Sequence, residues 1–238
     1  FSGLSSFIIL YCILSEVNLS PINWTKLFTI FKLSLPLIVS LFASQAYGSI
    51  DLFFLNSFIG SEAVSIFKIG HSFANIFMPF AVISSFIFMS EFVVNLKHGK
   101  YSDVLKDIRS QLLILFSIAI TNILFNVFAL PYLFPYLYGD SLWTKVNEII
   151  LPLSLTGSIN IISLTFAYTL LAARRNRELA IIPILTSSLY IVLAKPLINN
   201  FGLNGLCYCS IFCYSCSLIA FLYQTRIILK NKKLAETY

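Results

Sequence analysis

Lys68, His71, Ser72 and Asn75 are the residues whose types and spacing invite chemistry. They lie in AVSIFKIGHSFANIFMPFAVISSFIFMSEF, residues 63–92, a run long and apolar enough to cross a bilayer. At helical periodicity the four share one stripe about 100° wide. A lysine inside a membrane helix is costly, so its ammonium must meet protein or a water-filled cavity instead of lipid. A cation flanked by an imidazole, a hydroxyl and an amide marks either a substrate path or a polar contact between helices. Taken alone, His71 reads as a hydrogen-bonded core residue ahead of a proton carrier.

The preceding apolar stretch repeats the pattern. Ser40, Ser44, Gly48 and Asp51 share a narrow face; the first three read as a close helix contact, whereas an intramembrane carboxylate needs a partner. A short loop with Gly60 and Glu62 joins the two stretches and sets Asp51 and Lys68 at similar depth. Two readings stay open: an ion pair that only orients the helices, or a wet cavity shared by both residues. A third has the Lys68 ammonium reaching the outer headgroups. Glu91 lies well off the Lys68 stripe and reads as a partner for Lys97 or Lys100, with proton coupling as the rival role.

Further along, Asn122 and Asn126 read as interhelical hydrogen-bonding groups. Ser154, Ser158, Thr165 and Thr169 form one face of a later helix, and Asn160 with Ser163 another, so that helix is expected inside the bundle. The spacing of Cys207, Cys209, Cys213 and Cys216 looks like a metal cluster. Their run is apolar, only the last three share a face, and no His or carboxylate is near in sequence, so they read as small hydrophobes. No G-x-S-x-G, H-E-x-x-H, Walker A or Gly-rich fingerprint occurs. The reading is therefore not an enzyme, with no cofactor and no metal.

These residues must be held by membrane helices. Of 238 residues, 58% are hydrophobic and 11% charged, with mean hydropathy +0.87; a soluble domain carries about 25% charged residues. The expected fold is all-α, a polytopic transmembrane bundle of about seven spans. Residues 1–15 are expected to end a span that begins upstream. Residues 16–32 form a cytoplasmic linker in which PINWTKLFTIFK makes an interfacial helix. Six spans follow within 33–228, at 33–58, 63–94, 111–133, 146–173, 179–198 and 203–228, and 229–238 is a tail.

Thirteen of the sixteen basic residues fall on alternate sides of these spans. They are Lys26, Lys32, Lys97, Lys100, Lys106, Arg109, Arg174, Arg175, Arg177, Arg226, Lys230, Lys232 and Lys233. Lys145 and Lys195 lie opposite. The positive-inside rule then puts the tail of this multi-pass membrane protein in the cytoplasm. The same pattern accounts for the net charge of +6 without nucleic acid. Trp24, Trp143, Tyr132, Tyr136 and Tyr138 read as interfacial aromatics.

Several stretches, taken in order, resemble the multidrug/oligosaccharidyl-lipid/polysaccharide (MOP) superfamily, and most closely its Wzx-type polysaccharide or O-antigen flippases. KLSLPLIVSLFASQAYGSIDLFFLNSFIG resembles the seventh span of such proteins, with Leu-Pro early and Asp late. SEAVSIFKIGHSFANIF is similar to the eighth, although Ser65-Ile66-Phe67 stands where the family has Gly-x-Tyr. FPYLYGDSLWTKVNEIILPLSL resembles the outer loop leading to the tenth span. LLAARRNRELAIIPILTSSLYIVLAKPLINNFGLNGLCYCS matches best, with its basic loop and a Phe-Gly-x-x-Gly hinge at Phe201, Gly202 and Gly205.

The resemblance covers nearly the whole chain and implies the C-terminal lobe of a 12-helix transporter working by alternating access. It implies a polyprenyl-pyrophosphate-linked oligosaccharide as substrate, flipped to the outer leaflet, contact with membrane lipids, and H+ or Na+ as the coupling ion. Lys68 then neutralises pyrophosphate, and His71, Ser72 and Asn75 hydrogen-bond sugar or phosphate oxygens. Asp51 is a further cavity candidate. The alternatives are a multidrug/cation antiporter of the same superfamily, a lipid II flippase, a membrane-embedded polysaccharide polymerase, and a non-transporting scaffold.

Overall fold

The computed structural model describes residues 49–230 without a gap, together with Trp24, Thr25, Phe28, Phe31, Leu35, Ile38 and Phe42. Readings that rest on residues 1–23 (Cys12 among them), on Ser40, Ser44 and Gly48, or on the tail 231–238 lie outside the described residues. The chain divides into two units, 1–35 and 36–238. In the first, Trp24, Phe28 and Phe31 are helical and exposed.

In the second unit, residues 49–58 are helical and are followed by α1 (Ser61–Ala74), α2 (Met78–Lys97) and α3 (Tyr101–Leu124). A π-helical turn (Phe125–Ala129), α4 (Leu130–Tyr138), α5 (Asp140–Ala172) and α6 (Asn176–Lys230) complete it. No strand occurs among the described residues. Four helical stretches are long and apolar enough to cross a membrane: α2, α3 through α4, α5 and α6. Phe80, Ile83 and Ile87 on α2, and Leu113, Phe116 and Ile120 on α3, are exposed. Exposed faces this apolar, on helices of this length, belong to a helical membrane protein.

The centre of the second unit is α5, which packs against α1, α2, α3, the π turn, α4 and α6. In its most apolar stretch 61% of residues are buried, against 22% in each of the other three candidates. Its polarity on two faces, legible in the sequence, suits that place: some of its hydroxyls bond to the preceding turn, and Ser158 Oγ donates across to Ala119 O of α3 at 3.1 Å. Ser154 Oγ donates to Ile150 O at 2.6 Å and Thr169 Oγ1 to Thr165 O at 2.7 Å.

The stretch 63–94, expected as one span, is instead two helices. Residues 75–77 form a turn between α1 and α2. Pro79 sits in the first turn of α2, where its missing N–H costs nothing. A second irregularity follows the same logic. Pro131 cannot donate to the carbonyl four residues back and its ring crowds that carbonyl, and the widened turn Phe125–Ala129 lies directly before it. Likewise α3 begins at Tyr101, ten residues before the expected span, so Lys106 and Arg109 are helical rather than looped.

Two further joints shape the C-terminal end. α5 stops where Arg174 takes a φ of 54°, with the N–H groups of Arg174 and Arg175 donating to Leu171 O and Leu170 O. α6 is two helices across a kink at Gly202 (φ 58°, ψ −136°), a backbone region open essentially to glycine alone. Cys209 Sγ donates to Tyr190 O at 3.8 Å, and Gly205 lies against Leu197 O. The two halves therefore run back along one another as a hairpin, turning at the predicted Phe-Gly-x-x-Gly hinge.

Candidate functional site

The sequence of α1 divides it into two faces. Ala63, Ile66, Phe67, Gly70 and Ala74 are buried, with Gly70 seated on the side chains of Ile149 and Leu153 of α5. Lys68, His71 and Ser72 lie on the exposed side. Among the described residues Lys68 has no ion-pair partner: the salt bridges there are Lys106–Asp103, Lys145–Glu62 and Arg175–Glu178. Ser72 Oγ donates to Lys68 O at 2.9 Å, and the His71 ring stacks on Phe67 with centroids 6.0 Å apart. The stripe thus keeps together, on one exposed helix face, an ammonium with no ion-pair partner among the described residues, an imidazole and a hydroxyl.

Asn75 departs from that group. It ends α1, where its Nδ2 donates to His71 O at 2.9 Å and lies 3.3 Å from His71 Nε2. If that ring nitrogen accepts, the imidazole proton sits on Nδ1. Asn75 also packs over α5, since a Cβ at Gly157 would meet Ala74 O at 2.5 Å and Asn75 Oδ1 at 3.2 Å. Its amide serves the end of the helix first and is half-buried.

Asp51 and Lys68 form no ion pair, which corrects one of the two roles open for them. Asp51 is buried at 4% exposure and points instead to the α6 hairpin. Its side-chain partner there is Tyr190, which belongs to the buried cluster that also holds Cys207, Cys209 and Cys213. Oδ1 has no hydrogen-bond partner. The cysteines pack as small groups against this corner. Sequence reading had no means to select Tyr190, although a carboxylate in an apolar span demands a polar partner somewhere. Glu91 pairs with neither Lys97 nor Lys100 among the described ion pairs; it is exposed and, with Ser90, Val94 and Asn95, lines a cavity of about 250 Å³.

The break after α1 is closed by asparagines. Asn122 Nδ2 donates to Ala74 O at 2.9 Å and lies 3.4 Å from Ser158 Oγ; Asn126 Nδ2 donates to Asn122 O at 2.8 Å and lies 3.4 Å from Phe73 O. Ala74 O, which the interrupted helix leaves without an N–H partner, is met by a side chain across the interface, whereas Phe73 O also accepts from Ile76 N–H at 3.2 Å. Asn122→Leu should therefore strand Ala74 O and cost about 1–3 kcal/mol. Thermal unfolding in detergent, with a lower midpoint than the parent chain, is the check.

At the far end of α1 the Lys145 ammonium donates to Glu62, holding that exposed carboxyl below the ordinary range. A carboxyl shifted down contributes above its unfolded titration range and loses the contribution as pH falls through its folded value. Lys145→Ala should return Glu62 toward ordinary titration, visible by NMR. Solvent screening makes the accompanying change in stability slight.

No protein-family model matches this chain, and no curated protein matches it.

Proposed function

We propose that the chain is the C-terminal lobe of a flippase for polyprenyl-pyrophosphate-linked oligosaccharides. The observation that carries this reading is Lys68, an ammonium without an anionic partner among the described residues, on the open face of a helix whose other face is buried in the bundle. Pyrophosphate cannot enter a low-dielectric path without a counter-charge, and a lysine supplies one at a point. Ser72 and His71, on the same exposed side, offer hydrogen bonds to phosphate or sugar oxygens.

On this reading the chain makes seven crossings, with α1 and α2 together as one, α3 through α4 as another, and the halves of α6 as the last two. The tail is cytoplasmic, the membrane is the inner one, and α1 lies in its outer half. Asp51, buried with one free oxygen, is the place where H+ or Na+ would couple to the movement of the α6 hairpin. That carboxylate is also what favours the second reading, a cation antiporter of the same architecture. Complementation of a flippase-deficient strain by the full-length protein that carries this chain tests the first. Restored surface polysaccharide supports it, whereas drug resistance without restored polysaccharide supports the second.

A further inference from the structure

Gln111 is fully buried in α3, and neither its Nε2 nor its Oε1 has a hydrogen-bond partner. Thr165 of α5 is likewise fully buried with Oγ1 unpartnered. The antiparallel register of α3 and α5, in which Ser158 Oγ donates to Ala119 O and Asn122 Nδ2 lies 3.5 Å from Ser154 O, brings positions 111 and 165 to one level. On one side lies an apolar cluster of Ala81, Leu115, Ala119 and Ile161. On the other lies a cluster of Phe92, Leu96, Val104, Ile108 and Ala172. Gln111 is one helical turn from both Ile108 and Leu115. Thr165 is one turn from Ile161 and two from Ala172, on the same face. Ser85 of α2, between Ala81 and Phe92 and also fully buried, donates to Ala81 O at 2.9 Å. The Phe86 and Tyr168 rings, 5.1 Å apart, join α2 to α5 at that level.

Three unpartnered polar atoms in one layer call for a ligand that both donates and accepts. The amide nitrogen needs an acceptor, the amide oxygen a donor, and the hydroxyl takes either. A metal cation satisfies only the oxygens and repels the amide N–H groups. We propose that Gln111 and Thr165 hold an internal water, which accepts from Gln111 Nε2 or donates to Gln111 Oε1 and bridges to Thr165 Oγ1 across the α2–α3–α5 junction. Buried waters of this kind make two to four hydrogen bonds to groups that otherwise lack them. The inference is independent of the transported substrate.

Thermal unfolding of the detergent-solubilised chain tests it through Gln111→Leu, Thr165→Val and the double variant. A shared water predicts that each single change lowers the midpoint, by roughly 2–6 °C for a chain of this size. It also predicts that the double variant falls by less than the sum, because one water is lost once. A midpoint raised by Gln111→Leu, or strictly additive losses, overturns the proposal, since a dry unpartnered amide is relieved by an apolar replacement. Should the variants fail to fold, X-ray hydroxyl-radical footprinting of the unaltered chain decides the matter. Oxidation of Leu115 or Phe166 beside the layer supports a bound water, and protection of both overturns it.

Discussion

Gly205→Ala is expected to prevent the last two helical segments from closing, and with them the stable fold. A Cβ at this position would run into Leu197 O and lie 2.5 Å from Leu197 C. Both are backbone atoms of the facing half of α6, so no side-chain rotation relieves the clash. Overpacking in a core costs about 1–3 kcal/mol when neighbours can yield; here the hairpin itself must open. The corner that would open holds Tyr190, Cys207, Cys209 and Asp51, all buried. The expected readout is loss of a cooperative unfolding transition in detergent, or a midpoint far below that of the parent chain. An unchanged midpoint would mean that the two halves do not pack as the Tyr190–Cys209 contact requires.

The second large effect concerns transport. Lys68 contacts no carboxylate among the described residues, so its removal should leave folding nearly intact. Lys68→Ala is expected to reduce flipping at least tenfold, which corresponds to about 1.4 kcal/mol, Lys68→Glu more, and Lys68→Arg least. An inverted charge repels pyrophosphate where an arginine still neutralises it. Equal expression and equal thermal midpoints across the three variants separate this from damage to the fold. Unchanged transport by Lys68→Ala would remove the residue from the mechanism.

Helix existence was legible because apolar runs of about 20 residues, too long and too unbroken for barrel strands, must satisfy their backbone within the segment itself. The hinge at Gly202 and Gly205 entered through the family resemblance alone; the positive φ at Gly202 and the close approach at Gly205 supply the physical reason for glycine there. The pairing of Asn122 and Asn126 across helices was legible, since an amide in an apolar span must bond to something. The break after α1 was not. Asn75 falls on the Lys68 stripe by angle, yet a helix end changes what an angle means, and Pro79 alone does not say whether a helix bends or stops.

Asp51 shows the other limit. Its need for a partner followed from sequence, but Lys68 was the nearest candidate along the chain, and the fold brings Tyr190 from α6 instead. Gln111 was hidden by a boundary. It stood at the expected start of a span and was not singled out, whereas α3 begins a full ten residues earlier and carries it into the core. Tertiary packing decided each of these cases, and local pattern had no access to it.

The most direct test of the account is translocation in proteoliposomes containing the full-length protein and a polyprenyl-pyrophosphate-linked oligosaccharide, with the exposed sugar read by an impermeant lectin or glycosidase. The predicted result is transfer of the lipid-linked sugar between leaflets, diminished by Lys68→Glu at unchanged reconstitution. Absence of sugar transfer, with uptake of a cationic dye driven by a proton or sodium gradient, would contradict it.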